Sequence, residues 1–157
     1  MSSAVSPNAN ADAPVLGDFL CFAVYSANLA FGRAYKPVLD ALGLTSYTQY
    51  IAIVALREQD NQNVRSLGEK LFLESNTLTP ILKRLESLGY VQPRRDPTDE
   101  RQVIVSLTPE GRRLRERARG LGLEEAAGLG KDIPRVQKAV VKLRDNLLRT
   151  VRGEKTD

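Results

Sequence analysis

The chain has 157 residues, 42% apolar and 27% charged, with one cysteine, no histidine and a formal charge of +4, the makeup of one globular domain with a real core. Without histidine there is no His-based triad and no His metal site. One cysteine makes neither an intrachain disulfide nor a thiolate zinc site, and no Gly-rich phosphate loop is present, so no enzymatic activity, metal or cofactor is expected.

Residues 1–14, MSSAVSPNANADAP, lack the basic start and apolar core of a secretory signal and read as a flexible arm. No apolar run approaches the ~20 residues of a membrane span. A lone cysteine suits a reducing compartment, so the expected location is the cytoplasm. Over 16–35 the apolar residues Leu16, Phe19, Leu20, Ala23, Ala27, Ala30 and Ala34 recur at helical spacing. Phe22, Val24, Leu29 and Phe31 widen that surface beyond one stripe. A helix apolar nearly all round is buried on several sides, which in so small a domain calls for a partner chain. Pro37 is expected to break or kink the helix and LGLT (42–45) to end it. A second helix follows over 47–57, capped by Thr45 or Ser46, and then a polar loop, EQDNQN (58–63).

Asn63 caps a third helix, to 72, with Val64, Leu67, Leu71 and Phe72 on one face. After a short turn at 73–75, a helix over 76–90 turns Leu78, Ile81, Leu82, Leu85 and Leu88 inward, with Pro80 in or near its first turn and Gly89 as its stop. VQPRRDPTDERQVIVSLT (91–108) reads as a β-hairpin with a basic, exposed tip. Thr108 caps a helix over 109–129 with Pro109 at its first position. Its run RRLRERAR (112–119) reads as a solvated face, with Glu116 pairing neighbouring arginines. Asp132 caps the last helix, where Val136, Val140, Leu143, Leu147 and Val151 form an apolar stripe.

Helix, turn, helix and hairpin make a winged helix-turn-helix, in a mainly α chain with a small β-wing. Residues 61–119 hold twelve Lys/Arg against eight Asp/Glu, whereas 1–60 hold three against five. The positive excess lies where a polyanion would be met. With the leucines inward, Ser75, Asn76, Thr77, Thr79, Lys83 and Arg84 face outward. Their short polar and cationic groups suit base edges and phosphates in a major groove of double-stranded DNA. At the hairpin tip Arg94, Arg95 and Arg101 suit a narrow minor groove. Asp99 can accept hydrogen bonds from the turn or from Arg101 and hold the tip in shape. The expected division is an arm (1–14), N-terminal helices with the cysteine and part of a dimer interface (15–60), a DNA-binding unit (61–108) and C-terminal dimerisation helices (109–157).

The cysteine lies in FLCFAVYS (19–26). By residue type, Cys21 is either an inert apolar filler or a reactive thiol. A thiol reacts with peroxide as its thiolate. With no histidine present, the anion would need donors such as tyrosine hydroxyls. Tyr25 is one turn away on the same face. Tyr35, fourteen residues on, lies ~21 Å along a straight helix, out of reach in its own chain but within reach of the Cys21 of a chain packed antiparallel.

RRDPTDERQVIVSLTPEGR resembles the wing and following helix of MarR-type transcriptional regulators, whose Asp-x-Arg signature falls here on Asp99 and Arg101. LCFAVYSANLAFGRAYKPVLDALGLT and LGEKLFLESNTLTPILKRLESLGYV resemble the OhrR branch, the organic hydroperoxide-sensing repressors. The resemblance covers residues 16–120; the last helix is similar in character only. Where many OhrR proteins have LTYPQY this chain has LTSYTQY, one residue more, and it lacks the second cysteine of some relatives, as in the one-cysteine type. The resemblance implies a homodimeric repressor closed by its N- and C-terminal helices on a pseudo-palindromic operator. It also implies that organic hydroperoxide oxidises Cys21, that a low-molecular-weight thiol can cap the product, and that tyrosines of the other subunit, carried here onto Tyr35 and Tyr47, bond the cysteine. The alternative is a MarR-type repressor released by a small aromatic or phenolic ligand, with Cys21 structural. A thiol peroxidase would lack a resolving cysteine, and an architectural DNA-binding protein would have no effector.

Overall fold

A computed structural model describes residues 13–123 and 125–154. The arm expected over 1–14 lies almost wholly outside them. A 3₁₀ turn over Leu16–Asp18 precedes α1 (Leu20–Ala41), so the first helix starts and ends later than its sequence pattern implied. Pro37 does not break it. The proline forfeits one backbone bond, to the carbonyl of Arg33, and the helix continues because Val38, Leu39 and Leu42 are drawn into the core. A Schellman turn then ends it. Leu44 N–H donates to Leu39 O at 2.8 Å and Gly43 N–H to Asp40 O at 3.0 Å, with Gly43 at φ 74°.

Ser46 caps α2 (Tyr47–Glu58), accepting from Gln49 N–H at 3.4 Å. The Gln49 side chain in turn accepts from Thr45 N–H and donates to Thr45 Oγ1, both at 2.9 Å. Thr45, Ser46 and Gln49 thus satisfy one another's polar groups at the start of α2. The loop expected over 58–63 ends in a short strand, β1 (Gln62–Asn63). Gln62 is held there by its buried side chain, which donates to Ala55 O at 3.2 Å and Gln59 O at 2.6 Å. Asn63 caps α3 (Val64–Leu71), accepting from Ser66 N–H at 2.7 Å. Phe72 leaves the inward row: it takes the left-handed C-cap position, φ 57°, and its ring lies 61% exposed under the guanidinium of Arg144, 5.3 Å away.

In α4 (Ser75–Ser87), Leu78, Leu82 and Leu85 are buried, and Gly89 at φ 76° stops the helix. Pro80 is the sixth residue of α4, one position deeper than expected. β2 (Val91–Arg95) and β3 (Val103–Leu107) form the hairpin, with Val91 opposite Leu107 and Arg95 opposite Val103; β1 adds to the other side of β3. Thr108 caps α5 (Pro109–Gly120), accepting from Gly111 N–H at 3.1 Å. This helix ends at Gly120, not 129, where a turn carrying Gly122 at φ 77° takes over. Arg57 of α2, not a neighbouring arginine, pairs with Glu116, and Arg112 pairs with Asp60. After a 3₁₀ turn at Gly130–Asp132 comes α6 (Ile133–Val151). Asp132 makes no capping bond there; its carboxylate accepts from Arg135 at 3.3 Å instead.

The core is built on α2. Ile53 and Leu56 pack with Leu42, Leu67, Leu78, Leu85, Val105 and Leu114 from the elements around it. By contrast α1 buries only Val38 and Leu39, and α6 buries none of its residues. Phe19, Leu20, Val24, Leu29 and Phe31 are exposed, as are Val140, Leu147 and Val151 of the expected stripe.

Gly111 marks a tight approach. A Cβ there would run into the carbonyl of Tyr90, which accepts from Thr108 N–H at 3.1 Å. Gly111→Ala is expected to destabilise the fold by about 2–3 kcal/mol, read as a lowered urea midpoint; an unchanged midpoint would show that α5 can part from Tyr90 freely.

Candidate nucleic-acid interface and sensing site

All six α4 residues picked from the sequence are exposed: Ser75, Asn76, Thr77, Thr79, Lys83 and Arg84. Burying one face of α4 leaves the other free, and the 3.6-residue repeat decides which residues it carries. A groove of about 360 Å³ separates α4 from the wing, floored by Leu82, Pro93, Val103 and Val105 and rimmed by Lys83, Arg94 and Arg95. The fold thus brings Thr79 and Lys83 of the helix to the two β2 arginines. Asp99 and Arg101 stand apart at the tip.

The tip is shaped by its own acceptors. Asp99 Oδ1 accepts from the backbone N–H of Arg101 at 3.2 Å and from its Nε at 3.1 Å, and Oδ2 accepts from Gln102 Nε2 at 3.3 Å. The Arg101 side chain, then its backbone N–H, then Gln102 hold the Asp99 carboxyl below the usual carboxylate range. Asp96 is lowered likewise, by the Thr98 backbone N–H at 2.8 Å and its hydroxyl at 2.7 Å. Arg95 donates to Glu100 O at 3.0 Å. The Arg101 side chain remains 92% exposed, oriented at its base yet open at its end.

Cys21 lies in the first turn of α1 and is exposed, so it does not fill the chain's own core. Tyr25 is exposed beside Phe22, ring centroids 6.3 Å apart. At the other end of α1 the rings form a row: Phe31 to Tyr35 at 5.4 Å, Tyr35 to Tyr47 at 5.4 Å, and Tyr47 to Tyr50 at 6.1 Å. Burial raises the Tyr35 hydroxyl above its ordinary value; burial, and then the neighbouring Tyr35 and Tyr50, raise that of Tyr47. Both therefore stay neutral donors throughout the physiological range. The row lines a cavity of about 760 Å³, closed by Arg115, Leu129, Ile133 and Val140. Tyr35 and Tyr47 are thus together, while Cys21 is ~21 Å of helix away. Tyr50, three residues from Tyr47, could have been added to the site from helical spacing. Arg115 could not, because nothing local places α5 beside α2. Among the described residues no cluster of His, Cys, Asp or Glu could hold a metal, and no helix is long and apolar enough to cross a membrane.

Residues 33–117 match the family described as transcriptional regulator SarA/Rot. The organic hydroperoxide resistance transcriptional regulator of Bacillus subtilis is 39% identical over 133 residues, which cover 82% of this chain and 88% of that protein. The HTH-type transcriptional regulator TtmR of Methylorubrum extorquens is 48% identical over 113 residues, 72% of this chain. The chain spans only 57% of the length of TtmR. Among solved structures, reduced AbfR of Staphylococcus epidermidis bound to DNA is similar at a TM-score of 0.72 and 33% identity, covering 87% of this chain and 96% of that one. The first two relatives are named as transcriptional regulators, and the third is bound to DNA. The winged helix and this extent of shared sequence place the chain in the MarR/SarA-type transcriptional regulators, on their OhrR branch.

Proposed function

We propose that the chain is a homodimeric repressor that holds a pseudo-palindromic operator while Cys21 is reduced and releases it when an organic hydroperoxide oxidises that thiol. One observation carries this reading. A single uninterrupted helix, α1, bears Cys21 at one end and Tyr35, its ring tilted against that of Tyr47, at the other, along an apolar face its own chain leaves uncovered. Two copies of α1 packed antiparallel would cover both faces. Each Cys21 would then lie against Tyr35 and Tyr47 of the partner subunit, whose neutral hydroxyls donate to the thiolate. The exposed stripe of α6 extends the same interface. Residues 15–60 would thus sense and form part of the dimer interface, 61–108 bind DNA and 109–157 dimerise.

The chemistry is a two-electron transfer. The Cys21 thiolate attacks the distal oxygen of the hydroperoxide. The S–O bond forms as the O–O bond breaks, and the alkoxide leaves and takes a proton to become the alcohol. Cys21 is now a sulfenic acid. A low-molecular-weight thiol can condense with it, giving a mixed disulfide and water. An oxygenated or bulky sulfur no longer fits between apolar helices and tyrosine donors, so the α1 pair shifts and the recognition helices lose operator spacing. The name of the Bacillus subtilis relative supports this reading, as does the structure of reduced AbfR bound to DNA. Ser75, Asn76, Thr77, Thr79, Lys83 and Arg84 would meet the major groove, and Arg94, Arg95 and Arg101, with Asp99 bracing the tip, the minor groove.

In gel shifts, an organic hydroperoxide is expected to weaken operator binding by the wild type at least tenfold and to leave Cys21→Ser bound; a wild type that stays bound under oxidant would sink the reading. Arg101→Ala is expected to cost about 1–3 kcal/mol of operator affinity, and equal affinity would remove the wing from the interface. Because the Tyr35 and Tyr47 hydroxyls are raised, they should ionise above the tyrosine reference near pH ~10. Tyr35→Phe and Tyr47→Phe should each delete a late step from an absorbance titration, and loss of an early step would contradict the raised hydroxyls.

A further inference from the structure

The sulfur lies on α1, whereas operator reading belongs to α4 and the wing, so position has to pass between them. Among the described residues, one hydrogen bond crosses from α1 to the winged-helix unit. The Tyr90 hydroxyl donates to the backbone carbonyl of Leu42 at 2.7 Å, out of contact with solvent. Both ends are built for it. Leu42 is the C-cap of α1 and 1% exposed, and its carbonyl is among those a helix end leaves without an intrahelical partner.

Tyr90 ends the turn that closes α4, the place that Leu44 holds after α1. Its N–H donates to Leu85 O at 3.0 Å, and Gly89 N–H to Glu86 O at 2.9 Å, with Gly89 at φ 76°. The last residue of the turn that closes α4 therefore reaches the carbonyl at the turn that closes α1. The two turns also pack: a Cβ on Gly43 would be 3.8 Å from the Leu88 side chain. Tyr90 directly precedes β2, so recognition helix and wing both spring from it. Its own carbonyl takes the Thr108 N–H at 3.1 Å, and Arg117 Nη1 approaches its hydroxyl at 3.5 Å. Apolar contacts alone allow sliding, whereas a buried, directional bond fixes one arrangement.

We infer that Tyr90 is a positioning residue: its hydroxyl locks the winged-helix unit to the end of the sensor helix, so that α1, α4 and the wing move as one body and the spacing between the two recognition helices of the dimer is held. This rests on the dimer proposed above, and its redox half can fail separately.

The test uses the full chain. In a Cys21→Ser background, a spin label at Glu86→Cys reports the distance between the two α4 helices. Tyr90→Phe, which keeps the ring, should at least double the width of that distance distribution, both proteins being measured equally far below their own melting midpoints. An unchanged width overturns the inference. Arg117→Gln disturbs the other neighbour of the hydroxyl and should leave the width alone; equal broadening there would deny the Leu42 bond its role. In a second measurement, duplexes selected by the wild type from a random pool are altered by one base pair between half-sites. The wild type should lose at least tenfold in affinity and Tyr90→Phe no more than threefold. Equal losses overturn the inference. Hydroperoxide added to the unlabelled wild type tests Cys21 alone, so retention of DNA there counts against the redox reading and not against the Tyr90 lock.

Discussion

Helix α1 is too apolar for its own chain to cover. It tucks Val38 and Leu39 into the core and leaves Phe19, Leu20, Val24, Leu29 and Phe31 in solvent. Each such side chain gains about 1.5–3 kcal/mol when fully withdrawn from water, so several together make a strong demand for a second surface. In the proposed dimer a second copy of α1 would meet that demand with the same residues, as an isologous interface does. The α6 stripe adds to it without drawing on the core, since α6 buries nothing of its own. Everything functional follows from this one deficit. In the proposed dimer it would set two winged helices at a fixed separation and put the only thiol of the chain where a change of size or polarity is felt by both subunits.

Charge plays a different part. Lys70–Glu58 and Arg57–Glu116 tie α2 to α3 and α5, but they are largely exposed, and such pairs add little stability; Asp60, the partner of Arg112, is mostly covered. Their effect is on orientation. At the wing the same holds for Asp99, an anion on a face meant for a polyanion. Its charge opposes phosphate, yet its three accepted bonds order the turn that presents Arg101. An arginine held at its base loses less freedom on binding than one on a floppy loop.

Local signals were read well where they are chemically narrow. Ser46, Asn63 and Thr108 are side-chain caps, the leucines of α4 face inward and 91–108 is a hairpin. The misses share a cause, which is that a distant contact overrode a local rule. Pro37 should stop a helix, but Val38, Leu39 and Leu42 beyond it are worth more in the core than the lost bond. β1 exists only because β3, some forty residues later, lies alongside it. Phe72 is apolar and in phase, yet the left-handed cap turns it outward. For the site, residue types left Cys21 open between filler and reagent. Exposure removes the first reading for the single chain, and the meeting of Tyr35 with Tyr47 could not be read from spacing because they lie on different helices.

The lone cysteine also constrains how oxidation can act. With no second thiol in the chain, the oxidised sulfur cannot be drawn into an intrachain disulfide, so no covalent strap is available to pull a helix out of place. The displacement has to come from the adduct itself. A sulfenic acid adds one oxygen and a demand for hydrogen bonds, which the tyrosine hydroxyls can partly meet by turning. A mixed disulfide adds a whole molecule to a closed apolar seam and has no such remedy. In the proposed mechanism the capping thiol would therefore enlarge a shift of α1 that the peroxide begins. A helix locked through Leu42 to Tyr90 passes that movement to the DNA-reading elements with little loss.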